Sequence, residues 1–149
     1  MLAFALTETI GLAAALHPDA WLGLFAAACR YRIIPRENAD MGLPAGLIFC
    51  DSRAMLEDRI MALREANKYN IHWDRHLIGF PRILGSEAAE ISVEAPFAVY
   101  QSDQEGSSRL FATGLYRDRI VSEGGGLKFR DKTVLLDTFA VPSLLATPL

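Results

Sequence analysis

The chain has 149 residues, of which 51% are hydrophobic and 22% are charged, and its formal net charge at pH 7 is -3. This balance predicts one globular domain, residues 1–149, and excludes an intrinsically disordered chain. The basic residues are interspersed with acidic ones, so the sequence lacks the cationic footprint of a nucleic-acid-binding protein.

The apolar residues 2–16 predict a first helix whose broad apolar surface is buried in the core or against another subunit. This segment has no Lys or Arg at its start and ends at His17-Pro18-Asp19. It is therefore too short for a membrane span and lacks the basic beginning of a signal peptide. We expect a soluble, cytoplasmic protein in which Cys29 and Cys50 are free, buried thiols.

Short elements follow this first helix. A second helix is predicted to start at Pro18 and to continue to Phe25. Alternating polar and apolar residues predict a strand over 30–34, which Pro35 ends. Residues 36–46 contain Pro, Gly and Asn without periodicity and predict a loop, and residues 47–50 predict a brief buried strand.

The most regular segment is a helix that begins after Asp51 or Ser52, either of which can accept hydrogen bonds from the first helical turn. Arg53 and Glu57 lie one turn apart on its polar side and are expected to pair. The helical pattern stops after Asn67, and Arg75-His76 lead into a strand over 77–81. Apolar residues at three- and four-residue spacing predict the buried face of this helix: Met55, Leu56, Ile60 and Leu63.

Beyond Pro81 the apolar period changes to two, which predicts strands over 91–99, 110–121 and 127–139. Pro96 marks an edge position or a bulge, because proline cannot donate to a strand ladder.

Two further features describe the last hairpin and the end of the chain. Gly124-Gly125-Gly126 predicts a tight turn, without the helix that a phosphate-binding loop needs. Leu127 and Phe129 are out of phase with Val134 and Leu136, which predicts a bulge near 130–133. The apolar tail 143–149 is expected to be covered, by its own chain or by a neighbour.

An assembled pattern connects this chain to a known family. The run DSRAMLEDRIMALREAN is preceded by Gly42-Leu43-x-Ala45-Gly46 and followed by His72-x-x-Arg75-His76 and a strand. This pattern resembles the small, or beta, subunits of aromatic-ring-hydroxylating dioxygenases, which are Rieske non-haem iron oxygenases, and above all those that act on terephthalate. The resemblance extends from about Cys29 to the last residue.

The resemblance implies an α+β fold, the nuclear transport factor 2-like (cystatin-like) cone, with N-terminal helices packed on a curved, mostly antiparallel sheet. It also implies a structural subunit without a catalytic centre of its own. The partner would be a large, alpha subunit that carries a [2Fe–2S] Rieske cluster and a mononuclear Fe(II), in an alpha3beta3 assembly whose small subunits form a trimer. Electrons would come from NAD(P)H through a separate reductase, and oxygen would be added to an aromatic carboxylate.

The residues of this chain agree that both metal centres belong elsewhere. A Rieske cluster needs two Cys and two His, and the oxygen-activating iron needs two His and a carboxylate. The sequence has only three histidines and no Cys-x-His pair. His72 and His76 could bind zinc as a helical i, i+4 pair, but the poor helical pattern around them favours local hydrogen bonding instead.

A stand-alone enzyme of the isomerase, dehydratase or cyclase type is the alternative. A cone fold can enclose a pocket in which one acid or histidine moves protons. Such a pocket would be lined by Tyr31, His76, Tyr116 and Asp118, with the pKa of Asp118 raised by burial. The plainer interpretation is that Asp118 pairs with Arg117, Arg119 or Arg75 and that apolar side chains fill the cone.

For the subunit function, arginines are the candidate contacts, because their planar groups make several hydrogen bonds and are weakly hydrated. The predicted contact residues are Arg75, Arg117 and Arg119, together with Leu144, Leu145 and Leu149 of the tail.

Overall fold

The computed structural model describes residues 18–66, 68–138, 140–142, 145 and 147–149. The predicted helix over 2–16 and the predicted contact residue Leu144 lie outside these residues. The elements in chain order are α1 (Pro18–Leu22), β1 (Phe25–Pro35), α2 (Arg36–Asp40), β2 (Ile48–Cys50), α3 (Arg53–Glu65), β3 (His72–Ile78), β4 (Arg82–Glu87), β5 (Glu90–Asp103), β6 (Ser108–Glu123) and β7 (Gly126–Leu136).

The described strands form one sheet in the order β2-β1-β7-β6-β5-β3, with β4 beside β3 on the same edge of β5. The β1–β7 pair is parallel and the other pairs are antiparallel. Helices α1 and α3 cover one face of this sheet, and Ala39 of the short helix α2 lies on the opposite face. The predicted α+β cone with a mostly antiparallel sheet is therefore confirmed, and the two faces are called here the inner face and the outer face.

Helix α3 follows the prediction closely. The Ser52 hydroxyl accepts from the backbone N–H of Met55, so Ser52 is the N-cap. Leu56, Ile60 and Leu63 are buried, whereas Met55 is exposed, so Met55 was wrongly placed on the buried face. Arg53 and Glu57 form the expected ion pair.

The elements before α3 differ from the prediction in their bounds. Helix α1 ends at Leu22, and Phe25 already pairs with Phe129 of β7, so β1 starts five residues earlier than expected. The predicted loop over 36–46 begins with α2, whose five residues are too few to show a helical period. In β2 only Cys50 is buried, because this short strand lies at the edge of the sheet.

Strands β3 and β4 were the least visible in the sequence. β3 begins at His72, five residues before the predicted start, and β4 has six exposed residues that carry no apolar alternation. A two-residue turn at Ala88–Ala89 joins β4 to β5, and both alanines have positive φ, which is uncommon outside glycine.

The later strands confirm the period of two. Val93, Ala95, Phe97 and Val99 are buried on the inner face of β5. Pro96 lies between the end of the β3 ladder and the start of the β4 ladder, where its missing N–H leaves no partner unpaired, and its carbonyl accepts from Gly79. Gly124 and Gly125 have positive φ in the hairpin turn before β7.

The predicted bulge in the last strand is confirmed. Arg119 is opposite Asp131 and Ile120 is opposite Phe129, so Arg130 is the extra residue on β7. The bulge turns both Phe129 and Lys132 toward the inner face and thereby resolves the phase conflict. β7 ends at Leu136, earlier than the predicted 139.

The core lies between the inner face of the sheet and the helices. It contains Trp21 of α1, Leu56 and Ile60 of α3, and a continuous set of strand residues that includes Tyr31, Tyr116 and Phe129. Trp21, Phe25 and Tyr31 make edge-to-face ring contacts, with Trp21 and Tyr31 centroids 5.2 Å apart. The packing joins α1 to β1.

We expect Gly114→Ala to destabilise the protein strongly. A Cβ at this position would lie 1.9 Å from the carbonyl oxygen of Leu135, so β6 and β7 would have to separate. The expected loss is about 3 kcal/mol in the free energy of unfolding, measured by urea denaturation. Gly85→Ala is the matched control, because a Cβ there meets nothing within 4 Å; equal stability of both variants would contradict the close strand contact.

Candidate functional site

The inner face carries a buried ion pair that the strand register creates. Tyr31 of β1 lies beside Lys132 of β7, and Lys132 lies beside Asp118 of β6, so the three residues form one cross-strand row. The Lys132 Nζ donates to Asp118 Oδ2 at 3.1 Å, and the two side chains are 2% and 1% exposed. This is a charge pair at the centre of the fold.

Aromatic rings enclose the cation of this pair. The Lys132 Nζ lies 3.9 Å from the ring centroid of Tyr116 and 4.6 Å from that of Phe129. Tyr116 is in turn stacked on Phe97, with centroids 4.3 Å apart. The negative faces of the rings attract the ammonium group, which compensates part of its lost hydration.

Burial dominates the protonation equilibria of this row. It raises the pKa of Asp118 to about 6, while the nearby Lys132 opposes the rise. It lowers the pKa of Lys132, and the attraction of Asp118 opposes that change. Burial also raises the pKa values of the Tyr31 and Tyr116 hydroxyls, so both phenols stay protonated at neutral pH.

His76 lies on the inner side of β3, and neither of its ring nitrogens has a hydrogen-bond partner among the described residues. Burial, assisted by the charge of Lys132 and opposed by that of Asp74, lowers its pKa, so the imidazole is neutral at pH 7. The other strand histidine, His72, donates from Nδ1 to the Asn70 carbonyl at 2.7 Å, which is the local bonding that the sequence favoured.

Neither histidine is part of a metal site in the structure. His72 and His76 lie in a strand, where four residues span roughly 13 Å, so they do not act as a helical ligand pair. Among the described residues, no three His, Cys, Asp or Glu side chains form a group that could hold a metal ion. Cys29 and Cys50 are free thiols and are buried in the apolar core.

The structure brings together the residues of the alternative catalytic prediction, Tyr31, His76, Tyr116 and Asp118, around Lys132, which the sequence analysis missed. The expected pairing of Asp118 with an arginine was wrong. Side chains alternate along β6, so Arg117 and Arg119 project to the outer face while Asp118 projects inward. Only the register between β6 and β7 reveals Lys132 as the partner.

The described part of the tail closes this interior. Leu149 is buried, its backbone N–H donates to the Tyr31 hydroxyl at 3.1 Å, and that hydroxyl donates to the Leu149 carbonyl at 3.3 Å. The Thr147 hydroxyl donates to Asp74 at 2.7 Å, and Arg59 of α3 donates to the Leu145 carbonyl at 3.1 Å. These tail residues are covered by their own chain.

The outer face carries a second candidate site, named here the arginine groove. It has a volume of about 600 Å³ and is lined by Arg30, Arg32, Arg117, Arg119, Asp131 and Thr133, with Leu43, Phe49 and Leu84 among its apolar wall residues. Two cross-strand rows build its floor: Arg32, Thr133 and Arg117 in one, and Arg30, Asp131 and Arg119 in the other.

Acidic residues hold the arginines of the groove in place. Glu94 accepts from both Arg82 and Arg117 at 2.9 Å, and these bonds, led by the one from Arg117, keep its pKa below the usual range. Arg30 pairs with Asp131, and Glu90 lies 3.5 Å from both Arg119 and Arg130. Arginines outnumber acids here, so the groove is positively charged.

Beyond the groove, the outer face becomes apolar near the opposite edge of the sheet. Arg75, Tyr100 and Leu110 form one cross-strand row on β3, β5 and β6, flanked on β3 by Trp73 and Leu77. All five side chains are exposed, with Trp73 at 60% and Leu77 at 54%. We call these five residues the outer patch.

The predicted contact residues divide between these places. Arg117 and Arg119 lie in the arginine groove, and Arg75 lies in the outer patch. Leu145 is half-buried against the core, and Leu149 is 4% exposed within its own chain, so Leu149 has little surface to offer a partner. Arg30 and Arg32 were missed, because only the parallel pairing of β1 with β7 brings them beside β6.

Comparison with known proteins places these features in a family. Residues 14–143 match the model of the ring hydroxylating beta subunit family. The chain is 39% identical over 131 residues to the anthranilate 1,2-dioxygenase small subunit of Burkholderia cepacia, covering 88% of this chain and 81% of that one. It is 37% identical over 131 residues to subunit beta 2 of the terminal oxygenase component of terephthalate 1,2-dioxygenase from Comamonas sp, covering 88% and 85%.

A solved structure agrees with the fold. The chain is similar to a crystal structure from Novosphingobium aromaticivorans described as the beta subunit of an aromatic-ring-hydroxylating dioxygenase. The TM-score is 0.88 at 38% sequence identity, and the match covers 99% of this chain and 97% of the other.

We expect Lys132→Met to lower the free energy of unfolding by about 3 kcal/mol, because it leaves the Asp118 carboxyl buried without its partner. The double variant Lys132→Met, Asp118→Val should recover most of that loss, since apolar side chains of similar size can replace a buried pair at little cost. Urea denaturation of both variants and the parent measures this. A double variant no more stable than Lys132→Met would show that the pair does not account for the loss.

Proposed function

The chain belongs to the family of ring-hydroxylating beta subunits, and from this membership we propose that it supports a large, alpha subunit through the outer face of its sheet. It is the small subunit of a multicomponent aromatic-ring-hydroxylating dioxygenase, as its relatives are. It is thus a component of an oxidoreductase of aromatic catabolism in which catalysis is the task of the large subunit.

The observation that carries this proposal is the contrast between the two faces of the sheet. The inner face is filled by α1, α3, described tail residues and the Lys132–Asp118 pair. The outer face presents a positive groove, whose lining includes Ala39 of α2, and an exposed apolar patch. Large apolar residues and arginines exposed together are typical of a subunit interface.

The redox groups of the complex are proposed to lie in the large subunit: a [2Fe–2S] Rieske cluster and a mononuclear Fe(II). The donor set of this chain does not fit either group, because its two cysteines are in the apolar core and its described histidines belong to no metal-binding cluster. The NAD(P)H that supplies the electrons would be oxidised by a separate reductase.

The proposed substrate is an aromatic carboxylate of the terephthalate type. The relatives support this class, since two of them are named for anthranilate and terephthalate, each a benzene ring that carries carboxylate. The substrate site would lie in the large subunit, which this chain would position without touching the ring.

The proposed assembly is alpha3beta3, with the small subunits forming a trimer. The proposed contacts in it are Arg75, Arg117 and Arg119 with the exposed part of Leu145.

Residues 1–149 are proposed to form one domain, since the described strands join one sheet around one core. None of the described helices has the length and apolar character that a membrane crossing requires. The free thiols of Cys29 and Cys50 support a cytoplasmic location.

The stand-alone proton-transfer enzyme is not favoured. Its carboxyl, Asp118, already binds Lys132, and its hydroxyl, Tyr31, already binds Leu149. Its histidine, His76, has no hydrogen-bond partner among the described residues, and nothing in the family membership assigns it a catalytic task.

We expect this chain, tagged in cells that also make its large subunit, to purify in an iron-containing assembly with a second, bigger chain. Native mass spectrometry and iron analysis measure both properties. A small, iron-free assembly of this chain alone, in cells shown to contain the large subunit, would contradict the proposed function.

We expect the double variant Arg75→Glu, Arg119→Glu to lose most of the large subunit from that assembly, because it reverses charge in both the outer patch and the arginine groove. The fold should persist, since exposed ion pairs contribute only about 0–1 kcal/mol each. Arg64→Glu is the matched control: Arg64 also loses an exposed ion pair, with Asp19, but lies on α3 at the opposite face. Equal loss of the large subunit in the control, or full retention in the double variant, would contradict the proposal that the outer face binds the large subunit.

A further inference from the structure

The arginine groove and its border hold more arginines than acids. The outer-face charges described there are the acids Glu90, Glu94 and Asp131 and the arginines Arg30, Arg32, Arg82, Arg117, Arg119 and Arg130. Each acid lies within ion-pair distance of one or two arginines, and the set as a whole carries an excess of positive charge. The complete chain has a net charge of -3, so this excess is a local feature of the outer face.

Arg32 is the arginine of this set that has no described acid within ion-pair distance. It is half-buried and lines the groove. Its Nε donates to the Thr133 hydroxyl at 2.8 Å, and that hydroxyl donates to Asp131 at 2.9 Å. These bonds fix the guanidinium at Nε, and no described residue accepts from its terminal nitrogens Nη1 and Nη2. An arginine held in this way can bind both oxygens of a carboxylate.

One wall of the groove is held by a hydrogen bond and by close backbone packing. This wall is the segment 42–46, which is the Gly-Leu-x-Ala-Gly motif of the sequence. The Asn38 side chain donates to the Ala45 carbonyl at 2.8 Å. Gly46 lies so close to β1 that a Cβ there would be 2.9 Å from the Ile33 carbonyl oxygen. The groove is therefore shaped before a partner binds, which lowers the entropic cost of binding.

We propose that the arginine groove binds the carboxylate side chain of an aspartate or glutamate of the large subunit, and that Arg32 is the residue that receives it. This inference rests on the proposed function, which assigns the outer face to the large subunit. The excess positive charge favours an acidic partner segment, and the groove includes the proposed contacts Arg117 and Arg119. Phe49 lies beside Arg32 in the β1–β2 ladder, and such an apolar neighbour strengthens an ion pair by limiting the access of water.

Arg32→Gln removes the charge from the groove and should weaken the complex. The tagged small subunit and its large subunit are purified together from cells that make both and are then diluted, and mass photometry measures how much large subunit stays bound. We expect the dissociation constant to rise at least about tenfold, as when one member of a partly buried charge pair at an interface is lost.

Arg130→Gln is the matched control for this measurement. Arg130 is an exposed arginine that shares Glu90 with Arg119, but it does not line the groove. The control removes the same charge and should keep the affinity of the parent. Equal weakening in both variants, or an unchanged dissociation constant in Arg32→Gln, would overturn the assignment of Arg32.

Arg32→Lys allows the bound carboxylate to be identified, because it places an amine in the groove. A water-soluble carbodiimide activates carboxylates, and an amine in contact with an activated carboxylate forms an amide without a spacer. We expect peptide mass spectrometry of the treated complex to join position 32 to an aspartate or glutamate of the large subunit. The parent complex is the control, since its guanidinium does not react. Links from position 32 to small subunits alone, or no link at all, would contradict the proposal.

The results separate this inference from the function on which it rests. A parent chain that binds no large subunit contradicts the proposed function. A parent complex that forms normally and is unaffected by Arg32→Gln contradicts the carboxylate site alone and leaves the outer face as the interface.

Discussion

The parallel pairing of β1 with β7 is the constraint on which both faces of this protein depend. On the inner face it places Tyr31 beside Lys132, and on the outer face it places Arg30 and Arg32 beside Asp131 and Thr133. The β1–β7 register shifts between Phe25 and Arg30, and the β6–β7 register shifts at the extra residue Arg130. Without the extra residue, the row that carries Lys132 would turn toward solvent, because a shift of one residue exchanges the two faces of a strand.

Adjacent residues of β6 therefore belong to different candidate sites, one on each face of the sheet. The side chain of Asp118 projects to the inner face, and those of its neighbours Arg117 and Arg119 project to the outer face, because side chains alternate along the strand. An exposed carboxyl at position 118 would compete for the same arginines that Glu90 and Glu94 now hold. The alternation of the strand places that carboxyl inside, where the cation of Lys132 compensates its charge, and the outer acids order the arginine groove.

Much of the architecture was readable from local sequence chemistry. The Ser52 cap, the Leu56–Ile60–Leu63 stripe and the alternation of β5 are signals that lie within a few residues of each other, and the structure confirms them. The bulge in β7 was also readable, because a phase change leaves a trace in the strand itself.

The features that escaped prediction depend on distant partners or on unusual turns. β4 has only exposed residues and is joined to β5 by an Ala–Ala turn with positive φ, where glycine or asparagine would have signalled a hairpin. The early start of β1 depends on Phe129, and the candidate site around Lys132 depends on Tyr31, about a hundred residues earlier in the chain. The pairing register of two distant strands cannot be predicted from the sequence of either strand alone.

The same long-range pairing has a consequence for how the protein is made. Arg30 pairs with Asp131, so β1 leaves the ribosome while its neighbour in the sheet is still to be synthesised. Contacts of such sequence separation form slowly, and an early strand that waits for its partner is exposed to association with other chains. The last hairpin, β6–β7, forms locally and can then capture β1. Synthesis rate and the supply of chaperones should therefore affect the yield of this subunit.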